Sequence, residues 1–265
     1  MTRAGRAPSI LEGSAPLVAF GCVLGLFLAM PFLGLVVTTS WRGFLDGLAH
    51  PLVWPALRLS LVTTTASLLI VVVFGAPLAW ILARSSGRLA RFVETFLQLP
   101  VVIPPAVAGV ALLLAFGRRG LFASLLYPAG FSVSFTTTAV VMAEVFVSAP
   151  FFVQAATSAF RRVDQNLFVV ARSFGATPLR LFFRVGLPLA APGLIAGGAM
   201  SWARALGEFG ATLMFAGNLT GRTQTLPLAI YTALESDLSA ARAIALILMA
   251  VAFALLLAIR AGSRR

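Results

Sequence analysis

Lysine is absent from this chain of 265 residues, so all 20 of its basic side chains are arginines. A phosphate-cradling P-loop needs a lysine to reach the β- and γ-phosphates of a nucleotide. The sequence therefore excludes a standard ATP site of its own. Acidic residues number only eight, and charged residues make up 11 % of the composition, against roughly 25 % in soluble domains. A single cysteine, Cys22, rules out an internal disulfide; lying in an apolar run, it is expected to be a small buried hydrophobe. The single histidine, His50, precedes Pro51, and no cysteine, histidine or carboxylate cluster surrounds it, so no metal site is legible. No Ser/His/Asp set or His/Glu metal pair appears either, which leaves a membrane-embedded enzyme a distant reading.

Apolar residues supply 60 % of the chain, and the mean hydropathy is +0.99. Six apolar segments, roughly 15–38, 57–83, 98–117, 136–156, 189–216 and 240–260, approach or exceed the ~20 residues that cross a bilayer as a helix. They predict an all-α integral membrane protein with six transmembrane helices. The first segment follows Arg3 and Arg6 but is too long for a secretory signal core and lacks a small-x-small cleavage site, so it reads as an uncleaved helix.

A net charge of +12 would suggest nucleic acid in a soluble protein, but no basic platform interleaved with aromatics accompanies it. Topology explains the arginines better. With the N-terminus in the cytoplasm, thirteen arginines lie inside: Arg3, Arg6, Arg84, Arg88, Arg91, five in the 157–188 loop, and Arg260, Arg264 and Arg265. Five lie outside (Arg42, Arg58, Arg118, Arg119, Arg222), while Arg204 and Arg242 fall within helices. The excess of inside arginine predicts cytoplasmic termini, with tails at 1–14 and 261–265, and places the loop 157–188 in the cytoplasm.

That loop is long for a membrane protein. Asp164 to Phe174 can form a helix, with Gly175 in the left-handed conformation that ends it. Thr177 offers a cap and Pro178 a first helical position for a second helix, where Leu179, Phe182 and Phe183 share one face and Arg180 and Arg184 another. Two readings remain open: a plug for a groove on another subunit, or a helix pair lying on anionic lipid heads.

Two intramembrane features stand out. The stretch 99–109 (LPVVIPPAVAG) carries Pro104 and Pro105 in mid-segment. Such breaks survive in lipid only where protein or a wet cavity satisfies the freed backbone, which fits a kinked helix, a gate, or both. The stretch 203–211 (ARALGEFGA) places Arg204 and Glu208 four apart on one helix face. Each charge at mid-bilayer costs about 2.5–3.5 kcal/mol on the insertion scale. The pair either pins helices together, or Arg204 conducts or gates an anion that Glu208 orients.

The loop resembles the EAA…G…I-x-LP signature of ABC-transporter permeases. It matches at Ala171, Gly175, Leu187 and Pro188, has Val185 for Ile, and departs at Val169-Val170, where the family has Glu-Ala. The stretches 99–109, 116–120 (FGRRG), 203–211, 215–218 (FAGN) and 221–231 (GRTQTLPLAIY) are similar to the molybdate permease family and, more broadly, to oxyanion permeases. The resemblance spans residues 55–260 and implies a type I ABC importer permease fold. It further implies a homodimer, two separate ATP-binding cassette subunits that bind ATP with Mg, and an extracytoplasmic molybdate-binding protein, with no cofactor in this chain and lipid around it. Ala171, Arg172, Gly175, Ala176, Pro178, Leu187 and Pro188 would couple to the ATPase; Pro104, Pro105, Arg204, Glu208 and Gly210 would form the path or gate. Arg118, Arg119 and Arg222 would attract the anion or dock the binding protein, or be ordinary solvated loop charge. The cargo is expected to be molybdate, with tungstate as a second candidate. A sulfate or thiosulfate permease and an ion-gradient-driven secondary transporter are the alternatives.

Overall fold

A computed structural model describes residues 15–126 and 133–262, and every regular element among them is helical. The tails 1–14 and 263–265, with Arg3, Arg6, Arg264 and Arg265, lie outside the described residues. Four helices are long and apolar enough to cross a bilayer unbroken: α1 (Ala15–Thr38), α3 (Val53–Arg84), α8 (Thr137–Arg162) and α14 (Leu238–Gly262). A fifth span, Pro178–Leu206, joins α10 (Pro178–Leu181), a π-helical turn (Phe182–Gly186) and α11 (Leu187–Leu206). The sixth is bent. Residues Arg88–Val102, comprising α4 (Arg88–Leu97) and α5 (Leu99–Val102), meet α6 (Pro105–Phe116) at 113°. Short helices complete the described residues: α2 (Trp41–Leu48), α7 (Ala123–Leu126), α9 (Gln165–Ser173), α12 (Gly210–Ala216) and α13 (Leu226–Ser236).

The single helices expected over 98–117 and 189–216 need correction. Pro104 and Pro105 lack N–H donors and cannot continue a ladder, so α5 stops and α6 starts afresh with Pro105 in its first turn. The fifth segment stops at Leu206 and restarts at Gly210 as α12. Glu208 therefore lies past the end of α11, not on its face.

The core forms where α8 packs against α3 and α11. Small residues set the distance: a Cβ on Gly197 would meet Ala155 Cβ at 2.7 Å, and one on Gly75 would fall 3.0 Å from the Phe152 ring. Such small-residue contacts let helices approach without a hydrophobic driving force in lipid. By contrast none of the described side chains of α1 is buried. Cys22 sits there exposed, which corrects its expected burial.

Candidate functional site

Two places in the bundle combine broken helices with polar or aromatic clusters. The first is the meeting of the breaks. Gly210 sits against Pro105, where an added Cβ would fall 2.9 Å from the proline Cβ and 3.2 Å from the Ala106 nitrogen. One turn further on, a Cβ at Gly109 would meet the Ala211 carbonyl and the Met214 Cβ at 2.7 Å. So α6 and α12 pack backbone to backbone, and three of the sequence-predicted path residues, Pro104, Pro105 and Gly210, converge on one junction.

Arg204 and Glu208 complete it. The Arg204 guanidinium donates to Glu208 Oε2 at 2.7 Å, and the Ala211 N–H donates to Glu208 Oε1 at 2.7 Å. Glu208 is 2 % exposed, whereas the Arg204 side chain is 26 % exposed. One carboxylate thus neutralises the arginine and satisfies an amide freed at the start of α12. The arginine keeps an open side, so it can meet an anion without leaving its partner.

A third ionisable side chain, not anticipated from sequence, lies in the same interior. Glu144 on α8 is 1 % exposed and accepts hydrogen bonds from Thr63 Oγ1 and Ser67 Oγ, both at 2.8 Å. Ser60, Thr63, Thr64 and Ser67 follow i, i+3, i+4, i+7 spacing and make one buried hydroxyl stripe on α3. Ser60 Oγ accepts from the Leu226 N–H at 2.8 Å and holds the start of α13. The periodic hydroxyls were a readable signal, but weakly polar residues scarcely alter the hydropathy of an apolar run.

The second place is the root of the 157–188 loop. Asp164 caps α9 by accepting from the Asn166 N–H at 2.9 Å. Gly175 ends it with φ +77°, the Ala176 N–H reaching the Ala171 carbonyl and the Gly175 N–H that of Arg172. These two bonds are the Schellman pattern, which requires a left-handed residue at that position. Thr177 then caps α10 and Pro178 occupies its first turn. Pro188 cannot donate to the Arg184 carbonyl, and the ladder slips to the π register, with the Leu187 N–H on Phe182 O.

Under this turn Trp80 of α3 packs edge-on against Phe160, Phe168 and Phe182, at centroid distances of 5.3, 5.5 and 5.5 Å. Gly186 lies so close to Trp80 that any side chain there would collide with the indole. The Arg84 guanidinium lies over both the Trp80 and the Phe168 ring, 3.8 and 3.7 Å from their centroids. A span and a loop helix are thereby fixed to each other. Here the sequence expectation is corrected: Phe182 turns inward onto Trp80, leaving Leu179 and Phe183 as the exposed apolar ridge. Arg172, Gly175, Pro178 and Pro188 are exposed, while Ala171, Ala176 and Leu187 are partly buried against the core. Arg118, Arg119 and Arg222 are exposed at the opposite end of the bundle, where the Arg222 carbonyl accepts from Thr137 Oγ1 at 2.9 Å.

Five or six spans, two converging helix breaks and a structured loop seated on an aromatic root define a multi-pass membrane permease of the type I ABC importer fold. A chain of a bacterial ABC transporter involved in alginate import superposes over 96 % of this chain and 97 % of its own, with TM-score 0.75 at 17 % identity. A methionine ABC transporter chain covers 80 % and 95 %, with TM-score 0.64. Residues 75–263 match the binding-protein-dependent transport system inner membrane component family, and the chain belongs to it. The molybdenum transport system permease protein of Mycobacterium tuberculosis is 44 % identical over 236 residues, 89 % of each chain. The molybdate/tungstate transport system permease protein of Pyrococcus abyssi is 34 % identical over 244 residues, 91 % of this chain and 92 % of that one.

Proposed function

We propose that this chain is the permease subunit of an importer that moves molybdate, with tungstate as a second cargo, across a bacterial cytoplasmic membrane. ATP hydrolysis on separate subunits drives it. The observation that carries the reading is the 44 % identity to a molybdenum transport permease over nearly all of both chains. The junction chemistry supports it, because the partly exposed Arg204 guanidinium has N–H donors to offer an oxyanion while Glu208 holds it in place.

In this reading the working unit is a homodimer with two ATP-binding cassette subunits and an extracytoplasmic molybdate-binding protein. The 157–188 loop and both termini face the cytoplasm. Leu179 and Phe183 enter a groove of the ATPase, and Trp80 and Arg84 pass its motion into α3. Arg118, Arg119 and Arg222 face outward, where the binding protein delivers its anion. Movement at the junction of Pro105 and Gly210 then opens and closes the path. The chain binds no nucleotide itself.

The test is uptake of radiolabelled molybdate into liposomes carrying this permease and its ATPase, with binding protein outside and ATP inside. Uptake competed by tungstate and indifferent to sulfate supports the reading. Uptake of sulfate instead would make it a sulfate permease, and molybdate movement without ATPase or ATP would make it a secondary transporter.

A further inference from the structure

The half of α8 nearest the arginine-rich loop carries a polar stripe that the sites above do not use. Gln154, Ser158 and Arg162 follow i, i+4, i+8 spacing and are all exposed, although they belong to an apolar span. The other faces of this half-helix are occupied. Phe152, Val153, Ala156 and Phe160 are buried in the core beneath Trp80, and Ala155 and Ala159 lie against Gly197 and Gly193 of α11. The stripe is about 12 Å long at 1.5 Å per residue; Arg162, at the end of α8, reaches the membrane surface, but a lipid-facing amide at Gln154, deeper in the span, would be costly. Polar residues in spans normally face a bundle interior or water.

The surroundings form a channel-like groove. Between the stripe and α11 lies a cavity of about 310 Å³, lined by Gln154, Ser158 and Arg162 opposite Gly193, Ala196 and Met200. On the other flank Glu94 is paired with Arg161, so its charge is neutralised and Arg162 remains the free cation of the groove. Among the described residues Arg162 makes no ion pair.

We propose that this groove is the exit route of the cargo: a weak transit subsite for a tetrahedral oxyanion, in which Gln154 and Ser158 donate neutral hydrogen bonds and Arg162 draws the anion to the mouth. The inference rests on the proposed function for its direction of travel. Neutral donors suit a transit site, since a conducted ion must bind well enough to enter and weakly enough to leave. A single arginine at the end supplies potential without trapping a dianion.

The test uses single-cysteine variants in a Cys22→Ser background, in inside-out vesicles carrying the transporter with its ATPase. Gln154→Cys and the nearly isosteric Ser158→Cys are compared with Ile195→Cys on the apolar surface of α11. A membrane-impermeant anionic methanethiosulfonate is expected to modify positions 154 and 158 about tenfold faster than 195, as water-facing sites react. Added molybdate should slow reaction at 158 severalfold, and Arg162→Gln should reduce the anionic-over-cationic reagent preference there. Modification at 154 and 158 no faster than at 195 overturns the proposal, since lipid or a dry contact with a second copy then covers the stripe. Fast modification indifferent to molybdate, to sulfate and to Arg162→Gln also overturns it. If sulfate, and not molybdate, protects Ser158→Cys, and only sulfate is taken up, the exit route stands and the molybdate reading fails.

Discussion

Glu208 does two things with two oxygens, and its neighbours show what each is for. Removing the carboxylate in Glu208→Ala leaves the partly exposed Arg204 unpaired and the Ala211 amide without its acceptor, whereas Arg204→Ala leaves the buried Glu208 carboxylate with the Ala211 amide but no counter-charge. Breaking a buried pair costs about 3–5 kcal/mol, and apolar replacement of both partners is often close to neutral. Arg204 is partly exposed, so the lower end applies. Both single variants should lower the melting midpoint in detergent, and Arg204→Met with Glu208→Gln should recover part of the loss. A double variant no more stable than either single one would contradict the pairing. Glu144 invites a parallel experiment. Interhelical polar contacts in membranes average about 0.6 kcal/mol, so Glu144→Leu, which leaves Thr63 and Ser67 without their acceptor, should destabilise the protein by about 1–2 kcal/mol. Glu144→Gln should retain most of that stability by tryptophan-fluorescence melting. Loss of the same size in both variants would mean that the charge itself holds the helices.

At the scale of elements, the legible features were those written in backbone chemistry. Gly175, Thr177 and Pro178 have few ways to sit in a chain, and the turn they predict is the turn that forms. The proline pair at 104–105 marked a break, though not its 113° bend, because the angle is set by the seat of α6 on α12. Hidden from sequence were features that depend on distant partners: Trp80 under the loop, Glu144 against α3, and the early stop of α11 at Leu206. A one-dimensional apolar pattern carries no record of them. Gly175→Val should uncouple transport while insertion and ATPase binding persist, since a β-branched residue is costly at positive φ. The readout is ATP hydrolysis without molybdate uptake; normal uptake would remove the turn from the mechanism. Trp80→Ala should give the same split between hydrolysis and uptake, because α9 loses the ring on which Phe168 and Arg84 pack. Aromatic pairs contribute about 0.5–1.5 kcal/mol each beyond burial, so a lower melting midpoint should accompany it.

The whole molecule is a bundle with uncovered surface. The exposed helix α1, the ridge of Leu179 and Phe183, and the stripe on α8 all lie outside its core. In the proposed assembly the ridge meets an ATPase, and the stripe faces the cargo. The broken junction stands between the outer arginines and that stripe, so closing it should stop transport without touching either end. Gly210→Val tests this claim most directly, because its side chain must displace Pro105 at the meeting of the two breaks. The measurement is ATP-driven molybdate uptake by the reconstituted transporter, with ATP hydrolysis followed in the same vesicles. Uptake is expected to fall at least about tenfold, a barrier change of about 1.4 kcal/mol, while hydrolysis continues. Undiminished uptake in Gly210→Val would contradict the assignment of the gate to this junction.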